Sequence, residues 1–239
     1  MKILCIGNSF SQDATRYLEA LSDHRITARN CCIGGCSLEE HCRQLDGGEA
    51  SYEYQKDAER QRMISLPEAL GRHTWDVVTL QQVSSLSGMG DSYEPWLGRL
   101  VEEVRRRCPN AEILLHRTWA YEVRSDHPGF ANYGGDSQRM YRAIYETTEA
   151  MAKQYALRVI PAGDAVQRAR QLPEFNTEMG GLSLTRDGYH LSFDYGRYLA
   201  ALVWLHTLTG REPQTVSFAP EGTQTEYLAL LKKAALPHS

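Results

Sequence analysis

The chain has 239 residues, 42% of them hydrophobic and 23% charged, with a formal net charge of −4. These are ordinary values for a globular protein with enough apolar material for a sizeable core, and they exclude a disordered chain. The acidic balance offers no footprint for a nucleic-acid backbone, and no run approaches the roughly 18 apolar residues that a membrane helix needs.

Length allows one large or two small domains, and a single domain over residues 1–239 is expected. The first apolar run, Lys2-Ile3-Leu4-Cys5-Ile6, is too short for a signal peptide and lacks a cleavage region, so it reads as a strand and the chain as cytoplasmic. It leads into Asn8-Ser9 and then a helical pattern, Ala14, Tyr17, Leu18 and Leu21. A second strand is expected over 26–33, broken by Gly34-Gly35 before a helix that Ser37 is placed to cap. Residues 46–62 are polar and weakly periodic and read as an inserted loop.

Residues 75–80 form the third strand, apolar as a parallel strand buried on both faces should be. A helix over 93–107 follows, its Arg105-Arg106-Arg107 complementing the helix dipole, and then a strand over 112–116. The segment 118–138 is too long for an ordinary connection. It carries Trp119, Tyr121, Phe130 and Tyr133 and reads as an active-site wall. A helix over 139–155, a strand over 157–160, a loop over 172–186, an apolar helix over 194–208 and a weaker helix over 222–236 complete the chain. Strands alternating with helices predict a parallel sheet covered on both faces, with functional loops at the carboxyl ends of the strands.

Six cysteines are present, five of them in the first 42 residues, but no paired C-x-x-C element accompanies them. Cys36, His41 and Cys42 are too few and too irregular for a zinc site, so the cysteines are expected to be buried free thiols and no metal is expected.

Ser9, Gly35, Gln81 and His116 each follow or end an expected strand, which gathers them along one edge of the sheet. A serine hydroxyl needs a base within hydrogen-bond reach and a carboxylate to orient that base. Asp187 and His190 have the right types, and their three-residue spacing lets a short turn fold the carboxylate onto one imidazole nitrogen. The N–H groups of Ser9 and Gly35 and the amide of Gln81 are the candidate oxyanion donors, and Trp119 and Tyr121 the candidate substrate-binding wall. Asn8 reads equally well as a loop-former or as a direct participant.

Gly7-Asn8-Ser9, Gly35 and Asp187-Gly188-Tyr189-His190 resemble three motif blocks of the SGNH hydrolase superfamily, the GDSL-type esterases and lipases, and in particular its bacterial DUF4886 branch. Asn8 stands where many members carry Asp, and the third block departs further. The superfamily has Gly-x-Asn-Asp there, whereas Gln81-Gln82-Val83-Ser84 looks more like the Trp-Tyr-Gln-Gly-Glu-Ser element of sialate and xylan acetylesterases, which favours Gln81 over Gln82. The resemblance implies a three-layer α/β/α flavodoxin-like fold, about five parallel strands in the order 2-1-3-4-5, and no cofactor.

The expected function is a metal-independent, serine-dependent carboxylic ester hydrolase acting on a small-molecule or carbohydrate ester, with a carbohydrate O-deacetylase preferred. Nucleic acid and membrane are not expected partners. A non-catalytic carbohydrate- or ligand-binding module on the same scaffold is the alternative, and it would need His190 turned away from Ser9. A phosphate-handling enzyme using the helix after Ser9 as an anion site lacks both a phosphate-binding glycine motif and a carboxylate set for magnesium.

Overall fold

The structure, a computed structural model, describes residues 1–237. Five segments form parallel strands: β1 (Lys2–Gly7), β2 (Thr27–Cys32), β5 (Val77–Leu80), β6 (Glu112–His116) and β7 (Arg158–Ile160). Their spatial order is β2-β1-β5-β6-β7, the expected order when the parallel strands are numbered among themselves.

Side chains alternate across a strand, so each buried strand serves two cores at once. Ile3 and Cys5 of β1 pack into one core, with α1 (Ser9–Thr15), α2 (Leu18–Leu21), α7 (Ala162–Ala169), α8 (Tyr195–Thr209) and α9 (Thr225–Ala234). Leu4 and Ile6 pack into the other, with α3 (Leu38–Gly47), α4 (Leu66–Gly71) and α5 (Trp96–Arg107). The remaining helix, α6 (Ser137–Tyr155), covers the β7 edge: Met140 and Ile144 enter the first core and Ala152 the second. These are three layers, α/β/α. Ser37 caps α3 as expected, accepting the Glu40 N–H at 3.2 Å.

The sheet has seven strands rather than five. Residues 46–62, expected as an inserted loop, finish α3 and begin an antiparallel hairpin of β3 (Tyr52–Lys56) and β4 (Glu59–Ile64). β3 pairs with β2, Cys31 opposite Tyr54, and buries Tyr52 and Tyr54. Asp57 and Ala58, both at positive φ, make the tight turn. β4 is exposed along Glu59, Arg60, Gln61 and Arg62, the charged surface that keeps an edge strand from recruiting another chain. Its polarity hid it as a strand. The helices α4 and α7 also lie in segments where no element was expected.

All six cysteines are unpaired and buried, and burial pushes the Cys5 thiol up to about 12. Among the described residues, no helix is long and apolar enough to cross a membrane.

Candidate active site

β1 ends at Gly7, and the chain turns sharply into α1. Asn8 makes that turn: its Oδ1 accepts the Phe10 N–H at 3.0 Å, capping the helix, and its Nδ2 donates to the Cys36 carbonyl at 3.1 Å. Ser9 is thereby set as the first residue of α1, at the carboxyl edge of the sheet. First-turn N–H groups have no acceptor within their own helix, and the Ser9 N–H has no hydrogen-bond partner among the described residues. The Gly35 N–H is likewise free among the described residues. Gly35 sits at φ +64, a left-handed conformation that favours glycine.

The base arrives from the other end of the chain. Asp187 Oδ1 accepts the His190 N–H at 2.7 Å and the Tyr189 N–H at 3.2 Å, which folds the Asp-x-x-His segment into a turn. Asp187 Oδ2 lies 2.7 Å from His190 Nδ1, and His190 Nε2 lies 2.8 Å from Ser9 Oγ. An ionised carboxylate only accepts, so His190 carries its proton on Nδ1 and leaves Nε2 to accept from the serine hydroxyl. Partial burial pushes the Asp187 carboxyl up, but the hydrogen bonds from the His190 side chain and the two backbone N–H groups outweigh it, leaving the group below its ordinary value.

Three residues hold this loop in place, Asp13 against the helix that carries Ser9, and Glu122 and Trp119 against the segment after β6. Asp13 of α1, fully buried, accepts from Arg186 Nη1 at 2.9 Å, from the Leu191 N–H at 3.0 Å and from Arg197 Nε at 2.8 Å. Glu122 accepts from the Ser183 hydroxyl at 2.7 Å and the Thr185 hydroxyl at 3.0 Å, and its N–H donates to the Gly188 carbonyl at 2.8 Å. Trp119 donates its indole N–H to the Tyr189 carbonyl at 2.7 Å.

Ser9, His190 and Gly35 open on a cavity of about 220 Å³. Its remaining surface comes from Asn8 and Phe10, from Val83 and Ser84, and from His127 and Tyr189.

Trp119 and Tyr121 were expected on this wall, and the structure places both behind it, fully buried. Trp119 stacks on Phe10 with ring centroids 4.4 Å apart, and Tyr121 shares a hydrogen bond of 2.8 Å between its hydroxyl and that of Ser84. Each supports a residue that lines the cavity instead of touching a ligand. Phe130 and Tyr133 are buried as well, so of the long segment 118–138 only His127 reaches the cavity.

Gln81 is also displaced from its expected place. Its side chain lies across Gly7, where even a Cβ would come within 3.0 Å of it, and is 1% exposed. Nε2 donates to Asn8 Oδ1 at 2.7 Å, and Oε1 lies 2.8 Å from His116 Nδ1. Asn8 Oδ1 already accepts the Phe10 N–H, so the amide orientation follows and His116 donates from Nδ1. Burial pushes His116 down to about 3, which keeps it neutral. Gln81 therefore braces Asn8 and does not line the cavity. Gln82 is no substitute: it accepts the Leu38 and Val83 N–H groups and donates to Ser92, all away from Ser9.

His127 and Tyr189 were not expected. Tyr189 sits inside the Asp-x-x-His turn and could have been found there, whereas a single histidine in a Gly- and Pro-rich loop gives no signal.

The family model described as Domain of unknown function (DUF4886) matches residues 2–237. The chain belongs to this family. A DUF4886 family protein from Bacteroides uniformis is 36% identical, with a TM-score of 0.90 over 98% of this chain and 93% of that one. A candidate SGNH hydrolase from Slackia heliotrinireducens is 24% identical (TM-score 0.61, 87% of this chain and 98% of that one). An acetyl xylan esterase, AlAXEase, is 14% identical (TM-score 0.60, 87% and 100%). A search of curated proteins finds no match. This DUF4886 chain thus has the mostly parallel α/β fold of the SGNH hydrolases.

Proposed function

We propose that this DUF4886 protein is a serine-dependent carboxylic ester hydrolase that removes short acyl groups, acetyl above all, from a small-molecule or carbohydrate ester. The observation that carries the reading is the unbroken relay from Asp187 Oδ2 through His190 to Ser9 Oγ, with links of 2.7 and 2.8 Å. A binding module would need no such relay.

In the forward step Ser9 Oγ attacks the ester carbonyl carbon while its proton passes to His190 Nε2, and Asp187 stabilises the resulting imidazolium. The carbonyl oxygen becomes an oxyanion, for which the free N–H groups of Ser9 and Gly35 are the available donors. Collapse breaks the bond to the alcohol oxygen, which leaves with the proton from His190. Water then repeats the sequence on the acyl-serine, releasing the acid and restoring the hydroxyl.

The small cavity supports the preference for short acyl chains. At about 220 Å³ it falls below the range usual for drug-sized ligands, which favours a short acyl group over a long chain. An acetyl xylan esterase among the proteins that share the fold supports the same preference.

A fluorophosphonate probe should label the protein at Ser9. Ser9→Ala should abolish labelling and lower kcat at least about 10³-fold while leaving the fold intact. Labelling elsewhere, or near-normal ester turnover by the variant, would refute the assignment. On aryl acetate, butyrate and octanoate esters, kcat/KM should fall along the series, and a rise toward octanoate would defeat the acyl preference.

A further inference from the structure

His127 has one ring nitrogen committed and the other free. Its Nδ1 accepts the Gly129 N–H at 3.0 Å, closing the turn through Pro128. A neutral imidazole that accepts at Nδ1 carries its proton at Nε2. That N–H has no partner among the described residues, on a side chain that lines the catalytic cavity. Gly129 is required in this turn, because a Cβ there would lie 2.3 Å from Ser85 Cβ.

The ring is also fixed in orientation. Tyr121 and Tyr189 flank it, each with its centroid 4.7 Å away, and Tyr189 in turn meets His190 at 4.4 Å. His127 and His190 thus both pack on Tyr189 and both line the cavity. Burial first, and then the neighbouring His190, hold His127 below the ordinary histidine range, with Asp126 and Asp187 opposing. It remains a neutral donor when His190 takes the serine proton.

His190 Nε2 must hand that proton to the departing alcohol oxygen, so the alcohol half of a substrate passes along the His190 side. We propose that His127 is a specificity residue for this half: its Nε2–H donates to a second oxygen of the alcohol, adjacent to the ester. The enzyme then favours acyl esters of polyols and sugars over esters of simple alkyl alcohols. The inference rests on the hydrolase reading above. It gives that reading an alcohol-side substrate class and uses a donor that neither Ser9 nor Gly35 supplies.

The test compares glycol monoacetate with propyl acetate, which share the acyl group and differ by a hydroxyl in place of a methyl. Wild-type protein should prefer the glycol ester by about 10-fold in kcat/KM, the worth of one partly exposed hydrogen bond. His127→Phe should bring the ratio close to one, and His127→Gln, which keeps an N–H donor, should retain most of it. A uniform loss of activity in a variant cancels in the ratio. An unchanged ratio in His127→Phe would overturn the proposal, as would a wild-type ratio near one, which needs no variant at all. Those outcomes, in protein that the fluorophosphonate labels at Ser9, count against His127 alone. Wild-type protein that neither labels nor turns over either ester would instead sink the hydrolase reading beneath it.

Discussion

Strand ends deliver Ser9 and Gly35 to the cavity, whereas loops deliver His127, Asp187 and His190. On the strand side the register of β1 with β2 sets the separation, Gly7 opposite Cys32, and Asn8 locks the turn with bonds to Phe10, Cys36 and Gln81. On the loop side an antiparallel bridge, Thr185 opposite Leu191, closes the Asp187–His190 turn on itself without joining it to the sheet. Single side chains do the work there: Asp13 ties residues 186 and 191 to α1, Glu122 ties 183 and 185 to the wall segment, and Trp119 ties 189. The nucleophile is thus placed by the sheet register and one capping side chain, and the base chiefly by side chains that reach it from other elements. Changes on the loop side should act through the base, and changes behind Ser9 through the turn.

The sharpest way to break that contrast is Asp187→Asn. The asparagine can still accept the backbone N–H groups of Tyr189 and His190, so the turn persists, but it no longer holds His190 with its proton on Nδ1. kcat should fall by about 10⁴-fold, with thermal stability near that of wild type. Loss of less than about 10-fold would mean that Asp187 orients nothing that matters to the reaction.

How much of this was visible in the sequence follows the same division. The five parallel strands could be read from apolar residues that precede turn signals, Ser9 and Gly35 because they follow strand ends, and Asp187 and His190 because their three-residue spacing lets a turn fold one onto the other. The hairpin at 52–64 could not, because β4 faces solvent along most of its length and carries no apolar alternation. Trp119 and Tyr121 were placed in the cavity by residue type, yet type does not say which way a loop turns its side chains. They point inward, because a large ring gains more from burial than from lining a small cavity. Gln81 was correctly read as a strand-end amide that must find partners, but those partners are Asn8 and His116 and not the oxyanion. His127 depends on a turn whose geometry exists only after folding.

A substitution at Gln81 sharpens the comparison on the strand side. Gln81→Ala removes the brace on Asn8 and leaves the buried His116 Nδ1–H without its acceptor. Stability should fall by about 1–3 kcal/mol, and kcat by about 10-fold through a looser Ser9 turn. A direct oxyanion donor would behave differently, with kcat down about 10²- to 10³-fold and unfolding almost unaffected. Denaturant unfolding and kinetics on the same preparation separate the two.

The smallest effect lies on the loop side and depends on acid. Because the folded Asp187 carboxyl is held below its ordinary value, it contributes stability that is present above the unfolded value, near pH 4, and is lost as pH falls through the lower folded value. The group is partly exposed, so the contribution is modest. Any difference in thermal midpoint between wild type and Asp187→Asn near pH 6 should shrink as pH falls below the unfolded value and through the lower folded one, because a protonated Asp187 is as uncharged as the asparagine. Every other carboxylate is common to the two proteins and drops out of the difference. A gap that stayed constant or widened in acid would mean that the charge of Asp187 does not stabilise the turn, leaving the neutral hydrogen bonds from Tyr189 and His190 to hold the base in place.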